Sequence, residues 1–458
     1  MIFINPPCFQ GYRFPSIGML YIAAHMRRSG MDVDYLDCNY HDDWRRRLDG
    51  LAEKHVYAGI TANVLSIGPA LEVARHLRRN HPGVRVVMGG PYPSVEYERL
   101  IPGYADVVVI GEGEETALEL ERGAPPAERV AGLAYGYGGV RTTPPRPLIK
   151  DLDAIPFPAW DLGDVSKYRL AHTRRSPVLP IITSRGCPFR CVFCGSAIVN
   201  RNRLRYRSPE NVLEEIDEIY NRYGVREIHV WDDNFTLHPD RTKDLCERIV
   251  KRGYKGLLFS VPSGIKPDVG DDALFSTMAR AGFYAVCIAV ETGSQEIMDS
   301  VGKKVDLSKV RGVVKAARRA GILTNGFFML GLPYDTEETM KKTIAFACSL
   351  PLDQALFFIT IPFPGTKLHE IASVEGKILY HADGGFWEKG YFLGKACYEM
   401  PGFSAGALER MYRAANRRFY MRPRQLLRLI ARGRVRTLRD VPYLLMKGLK
   451  VILKGRQF

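Results

Sequence analysis

A chain of 458 residues, 46% hydrophobic and 25% charged, is long enough for about three globular domains and too ordinary in composition for a fibrous or disordered protein. No run of about eighteen apolar residues occurs, which argues against a spanning helix. The formal charge of +15 is concentrated: residues 410–458 hold fifteen Lys or Arg against one acid, Asp440, and the rest is close to neutral.

The N-terminal part, 1–123, reads as alternating short strands and helices. Strands are predicted at 2–4, 33–37, 57–61, 84–88 and 107–110, with helical patterns at 17–29 and 68–80. That alternation implies a doubly wound, Rossmann-like parallel sheet, whose ligand lies beyond the carboxyl ends of the strands. The loops at those ends are small and polar: Thr61-Ala62-Asn63, then Gly89-Gly90-Pro91-Tyr92-Pro93-Ser94, then Gly111-Glu112-Gly113-Glu114. Glycine there lets the backbone approach a large ligand closely.

Residues 124–178 read as a connector, because Pro144, Pro145, Pro147, Pro156 and Pro158 interrupt any regular element. From 179 to 370 the alternation resumes, with strands predicted at 179–183, 227–231, 257–261, 285–290, 323–330 and 355–361. Ser208-Pro209 begins a helix whose apolar face is Val212, Ile216, Ile219 and Tyr223, and Gly224 stops it. Six strand–helix units suit a partial (βα)6 parallel barrel with its site at the carboxyl strand ends.

Directly after the first of these strands comes Ser184-Arg185-Gly186-Cys187-Pro188-Phe189-Arg190-Cys191-Val192-Phe193-Cys194. Its C-x3-C-x2-C spacing places three thiolates, Cys187, Cys191 and Cys194, on one tight loop. They can ligate three corners of a [4Fe–4S] cluster, leaving one iron open to a small molecule. A structural zinc loop is the alternative, but such sites are closed and four-coordinate, and the next cysteine, Cys246, stands alone some fifty residues on. A disulfide would need an oxidising compartment. The N-terminus reads as a strand and turn rather than a signal peptide, so a cytoplasmic protein is expected. Cys8, Cys38, Cys246, Cys287, Cys348 and Cys397 are scattered and read as small apolar residues.

The cysteine loop, with aromatic Phe193 before its last cysteine, resembles that of radical SAM enzymes. The phrase Phe14-Pro15-Ser16-Ile17-Gly18-Met19-Leu20-Tyr21-Ile22-Ala23-Ala24, with the Gly-Gly-Pro and Gly-Glu-Gly-Glu loops, resembles the cobalamin domain of the B12-binding radical SAM family. The run 151–160 is similar to that family's interdomain linker. The resemblance implies a [4Fe–4S] cluster on Cys187, Cys191 and Cys194, with S-adenosylmethionine held by groups at successive strand ends. These are Phe193; Asp232, Asp233 and Asn234 in place of the usual Gly-Gly-Glu; Ser263 and Lys266; Glu291; and Gly331 and Pro333. It also implies cobalamin against Thr61, Asn63, Gly89, Gly90, Gly111 and Glu112. One departure stands out: the loop 8–16 lacks the histidine of the D-x-H-x-x-G pattern, while His25 and His41 read as surface residues. No histidine is therefore expected beneath the cobalt.

The activity so implied is generation of a 5′-deoxyadenosyl radical, which abstracts hydrogen from a substrate carbon lacking an acidic proton. The leading expectation is a cobalamin-dependent methyltransferase acting on a natural-product or lipid intermediate, with a flavodoxin or ferredoxin as reductant. A non-methylating dehydratase, cyclase or rearrangement enzyme shares the radical. The tRNA methylthiotransferases share the cysteine loop, but carry three further cysteines in the first domain, where this chain has only Cys8 and Cys38. A non-catalytic binding module is the remaining alternative. At the C-terminal end, 411–420 and 438–453 read as amphipathic helices of a basic region suited to an anionic surface or a phosphorylated substrate. Trp387, Tyr391, Phe392 and Tyr398 are candidates for lining the barrel mouth.

Overall fold

The computed structural model describes residues 1–7, 15–123, 127–136, 138–168, 173–380, 390–391, 394–423 and 425. They divide into two compact units, one built on Met1–Pro188 and Gly195–His229, the other on Phe189–Cys194, Val230–His381 and the described residues from 390 on.

In the first unit strands and helices alternate: β1 (Ile2–Asn5), α1 (Ile17–Arg28), β2 (Asp34–Asp37), α2 (Trp44–Ala52), β3 (Tyr57–Thr61), α3 (Ile67–Asn80), β4 (Arg85–Gly89), α4 (Pro93–Leu100), β5 (Val107–Val109) and α5 (Glu114–Glu121). The strands pair in parallel in the order β2-β1-β3-β4-β5. Side chains of β1 alternate between two cores, as a period of two requires. Ile2 and Ile4 join Leu48, Leu71 and Leu77 on the side of α2 and α3, whereas Met1 and Phe3 join Met19, Met26 and Leu118 on the side of α1 and α5. Helices on both faces bury the sheet from both sides, the doubly wound arrangement expected.

Two elements differ from expectation. Helix α2 contains a run of three exposed arginines, Arg45, Arg46 and Arg47, and only Trp44, Leu48 and Ala52, one per turn, are buried. Its apolar stripe is too narrow to read from composition. The proline-rich connector is not wholly irregular either: β6 (Leu133–Tyr135) and β7 (Arg141–Thr142) add antiparallel strands beside β5. The prolines stand outside both strands, where no ladder hydrogen bond is lost.

Next along the chain come β8 (Val178–Ile181), β9 (Ser184–Arg185), α6 (Ser196–Asn200), β10 (Arg205–Tyr206), α7 (Pro209–Asn221) and β11 (Glu227–Val230). Helix α7 starts where the sequence places it: Ser208 Oγ accepts from Asn211 N at 3.1 Å and Pro209 occupies the first turn.

The second unit continues with α8 (Pro239–Arg252), β12 (Leu258–Ile265), α9 (Asp272–Arg280), β13 (Phe283–Glu291), α10 (Gln295–Ser300), α11 (Leu307–Arg319), β14 (Leu323–Leu330), α12 (Glu337–Ser349), β15 (Gln354–Ile359), α13 (Lys367–Glu375), β16 (Lys377–Ile378), β17 (Tyr398–Glu399) and α14 (Ala405–Tyr420). In this unit the strands pair in parallel in the order β15-β14-β13-β12. Consecutive parallel strands joined by helices make the incomplete barrel pattern. Strand β12 runs four residues beyond its expected end, through Pro262-Ser263-Gly264 to Ile265. The register shift between Val261 and Ile265 leaves the proline out of the ladder, which is how a strand tolerates it.

Helix α14 matches the helix expected at 411–420 and belongs to the barrel core. Phe419 packs edge-on to Phe357 of β15 at 6.2 Å, and Tyr420 donates its hydroxyl to Ala355 O at 2.8 Å. Tyr391 and Tyr398, considered for the barrel mouth, are buried, with the Tyr398 hydroxyl bonded to Gly331 O. Trp387, Phe392 and the helix expected at 438–453 lie outside the described residues. Among the described residues no helix is long and apolar enough to cross a membrane.

Candidate cofactor site

The cysteine loop is shaped by its backbone. Gly186 adopts φ +90°, and a Cβ there would lie 2.1 Å from Arg203 O, so only glycine fits at the exit of β9. In the second unit, Cys194 N bonds Cys191 O at 3.0 Å in a tight turn. Val192 between them is held at both backbone groups, its N–H on Val301 O at 3.0 Å and its carbonyl on Leu368 N at 2.8 Å. Val192 and Phe193 pack against Ile297, Val301 and Leu332. Cys187 and Cys191 are half-buried, Cys194 is exposed, and none forms a disulfide. Cys38, Cys246, Cys287 and Cys397 are buried as expected, and burial pushes the Cys287 thiol up to about 12. Accessible thiols on a constrained loop suit iron ligation, while buried high-pKa thiols do not.

The groups expected to hold S-adenosylmethionine fall into two sets. At the end of β13, Glu291 adopts a left-handed backbone (φ +68°), is 8% exposed, and accepts from Lys303 Nζ at 2.6 Å. The same ammonium stands 5.9 Å from the centre of the Phe193 ring. Lys303 was not singled out in the sequence. Its signal is positional, twelve residues after an acid at a strand end, and a lone lysine in a loop gives no reason to choose it. A non-glycine residue held in left-handed geometry is the strain that functional sites store.

Beyond β11, Asp232 and Asn234 are buried and Asp233 is exposed. Asn234 Oδ1 accepts from Lys266 N at 3.3 Å. The Lys266 ammonium is paired with Asp268 and lies 5.5 Å from the Phe189 ring centre, an arrangement like that of Lys303 with Glu291 and Phe193. Ser263 is exposed within β12 rather than in a loop after it. Gly331 (φ +81°) and buried Pro333 form the turn after β14, where Asp335 accepts from Gly331 N at 3.1 Å and Leu332 N at 2.9 Å. Burial raises the Asp335 pKa to about 6 against these hydrogen bonds.

At the carboxyl edge of the first sheet, Thr61, Gly89, Gly90 and Gly111 come together on adjacent strand ends. A Cβ on Gly90 (φ +104°) would meet Ala62 O at 2.6 Å and Thr61 Oγ1 at 3.2 Å, and Gly111 N bonds Ser94 Oγ at 3.2 Å. Asn63 is exposed and turns its Oδ1 to Leu65 N at 2.8 Å, starting α3. Glu112 is committed elsewhere: its carboxylate accepts from Arg185 and Arg205, each at 2.9 Å, and from Ile149 N at 2.9 Å. Arg185 also reaches Glu114 at 2.7 Å. Burial pushes Glu112 up, but Arg205 and Arg185 outweigh it, so its pKa sits below the usual carboxylate value. His25 is buried rather than on the surface, its Nε2 3.0 Å from Glu115, and His41 is half-buried. Most of the loop 8–16 lies outside the described residues.

Comparison with known proteins bears on both units. The radical SAM superfamily model matches residues 181–347, and the B12 binding domain model matches 10–121. The chain is 32% identical over 435 residues to the uncharacterized methyltransferase PH0819 of Pyrococcus horikoshii, covering 90% of this chain and 89% of that one. This is a B12-binding radical SAM protein. The anaerobic magnesium-protoporphyrin IX monomethyl ester cyclase of Rubrivivax gelatinosus is 27% identical over 81% of this chain and 69% of its own length. The radical SAM methyltransferase TsrM of Kitasatospora setae, solved with cobalamin and a [4Fe–4S] cluster, superposes with a TM-score of 0.68 at 21% identity. That match covers 82% of this chain and 78% of TsrM, and it shows a common fold. As a radical SAM enzyme with a B12 binding domain, this chain carries three thiols on one loop, two half-buried and one exposed, and glycines at the carboxyl edge of its first sheet.

Proposed function

We propose that the chain is a cobalamin-dependent radical SAM methyltransferase acting on a non-acidic carbon of a small-molecule substrate, a natural-product or lipid intermediate. One observation carries this reading: an accessible three-cysteine loop and a glycine-edged B12 binding domain occur in one chain, matched nearly end to end by a protein named as a methyltransferase. When bound, the cluster and S-adenosylmethionine supply an organic radical, and the corrinoid supplies the methyl group.

The chain's own residues bind and orient. Cys187, Cys191 and Cys194 would hold the cluster, which would bind S-adenosylmethionine and supply the electron that cleaves it. Lys303, in the loop after α10 and beside Phe193, would offer a cation to the carboxylate of S-adenosylmethionine, and Glu291, its partner at the end of β13, would accept from the ribose hydroxyls. Gly89, Gly90 and Gly111 admit the corrinoid to the sheet edge. Lys303→Ala is accordingly expected to weaken S-adenosylmethionine binding by about ten- to hundredfold, the worth of one charge-assisted hydrogen bond of about 1.5–3 kcal/mol. Isothermal titration of the reconstituted enzyme measures it, and iron content should not change.

The test of function is anaerobic purification with hydroxocobalamin, followed by incubation with methyl-labelled S-adenosylmethionine and a flavodoxin-type reductant. Retained corrinoid that acquires the label supports methyl transfer. The ester cyclase among the relatives favours one second reading, a radical enzyme that makes 5′-deoxyadenosine and transfers no methyl group. Cleavage of S-adenosylmethionine without labelled corrinoid would establish that reading instead.

A further inference from the structure

Helix α2 and the end of α3 bring three side chains together away from the cofactor edge. Asp49 Oδ1 lies 2.7 Å from His76 Nε2 and 2.7 Å from His81 Nε2, and the three atoms are all within 4.8 Å of one another. The two imidazoles are mostly buried, 12% and 9% exposed, while the carboxylate is 42% exposed. His76 packs edge-on to Trp44 at 5.6 Å and tilts against His81 at 6.4 Å, so both rings are held in place by packing. His81 caps α3, and its carbonyl accepts from Val84 N just ahead of β4. The cluster therefore sits at the opposite end of β4 from Gly89 and Gly90.

We propose that Asp49, His76 and His81 form a binding site for a divalent transition-metal ion, with zinc as its first occupant and water completing the tetrahedron on the exposed side of Asp49. Two imidazole nitrogens and one carboxylate oxygen are a donor set that zinc takes readily. Bonds of about 2.0–2.1 Å would set the ligand atoms about 3.3 Å apart, so each 2.7 Å contact must open by about 0.6 Å, a small rotation for a carboxylate facing solvent. His76 and His81 form an H-x4-H pair, a spacing that zinc ligands take.

The surroundings support the assignment. Asn80 Nδ2 lies beside the His76 ring, 3.2 Å from Nδ1 and 3.3 Å from Nε2. With a metal on Nε2, the ring proton would move to Nδ1, and a rotation of the neighbouring Asn80 amide would bring its oxygen to receive it. Without metal, the single oxygen Asp49 Oδ1 must accept from two Nε2–H groups. Metal binding would place one cation among these three atoms and tie α2 to the corner between α3 and β4, which makes the ion a staple of the B12 binding domain.

The experiment is competition titration of the reconstituted, anaerobic protein with Zn2+ against a chromogenic chelator. The wild-type protein should bind one equivalent beyond its cluster iron, and thermal unfolding should shift upward with Zn2+. His76→Gln and His81→Gln should lose both effects, and Asn80→Ala should bind about tenfold more weakly. Equal binding by wild type and both histidine variants, or no saturable equivalent, overturns the proposal. X-ray absorption of zinc-loaded wild type decides independently of how the variants fold. Nitrogen and oxygen neighbours with two imidazole signatures support the site, and sulfur at about 2.3 Å assigns the zinc to the thiols and sinks it.

Discussion

Cys191→Ala is expected to abolish S-adenosylmethionine cleavage while leaving the fold in place. The two functions separate because the loop's conformation does not depend on its sulfur atoms. Backbone bonds from Val192 to Val301 and Leu368, and the packing of Val192 and Phe193 on Ile297 and Leu332, hold the loop without any ligand. Removing one thiolate of three leaves two protein sulfurs, too few to retain the cluster, so iron should fall from about four per chain to well under one after anaerobic reconstitution. The readouts are iron and sulfide analysis, the 5′-deoxyadenosine produced, and a circular dichroism spectrum that should match wild type. Cys246→Ala and Cys287→Ala, at buried positions, are the controls that should keep full iron. If Cys191→Ala retained four irons and cleaved S-adenosylmethionine, the assignment of this loop to the cluster would fall.

The second large effect concerns stability. Glu112→Gln is expected to destabilise the first unit by about 3–5 kcal/mol, the usual cost of breaking a buried ion pair from one side. Glu112 is 5% exposed at its side chain, Arg185 16% and Arg205 11%, so the two guanidiniums cannot turn to water when the charge is lost. Arg185 keeps Glu114, but Arg205 is left with only Ile149 O and Asn200 Oδ1 as acceptors. The pH dependence has a definite sign. The folded pKa of Glu112 is depressed, so its stabilisation is present above the ordinary carboxylate value of about 4.5 and is lost as pH falls through the lower folded value. Glu112→Gln should therefore lower the unfolding midpoint at pH 7 and narrow the gap to wild type as pH drops below 4.5. A gap that stayed constant across that range would contradict the charge-pair account.

Much of this architecture could be read from the chain because its signals were local. Tyr57–Thr61 and Leu323–Leu330 are apolar runs bounded by polar or glycine loops, and both strands begin and end where the pattern does. Ser208-Pro209 fixed a helix start by two independent chemical reasons, a cap and a pre-set φ. Their spacing set the three cysteines of the loop apart from the scattered ones. What escaped was decided by partners far along the chain. Nothing near Glu112 shows that arginines 73 and 93 residues later will claim its carboxylate. Its neighbour Gly111 gave a correct impression of a glycine-edged loop, and the acid beside it looked equally available. Strand β12 ran on because a register shift with β13 accommodated Pro262, and a tertiary pairing of that kind leaves no mark on local composition. Helix α2 was hidden by arginines that face water, and His25 by a carboxylate, Glu115, on another helix.

The place of α14 in the chain has a bearing on synthesis. Strand β15 is the last of its sheet, with β14 on one side and no further strand on the other. The helix that packs Phe419 onto it, and that accounts for the Tyr420 bond to Ala355, ends sixty-one residues after the strand does. A ribosome adding about 5–20 residues per second leaves that strand and its aromatic Phe357 uncovered for several seconds after they emerge. During that interval the nascent barrel presents both an unpaired backbone edge and an uncovered apolar face, the two features that recruit neighbouring chains. Yield of folded protein should thus depend on how fast the ribosome delivers residues 405–420, and slowing translation just upstream of them would favour aggregation.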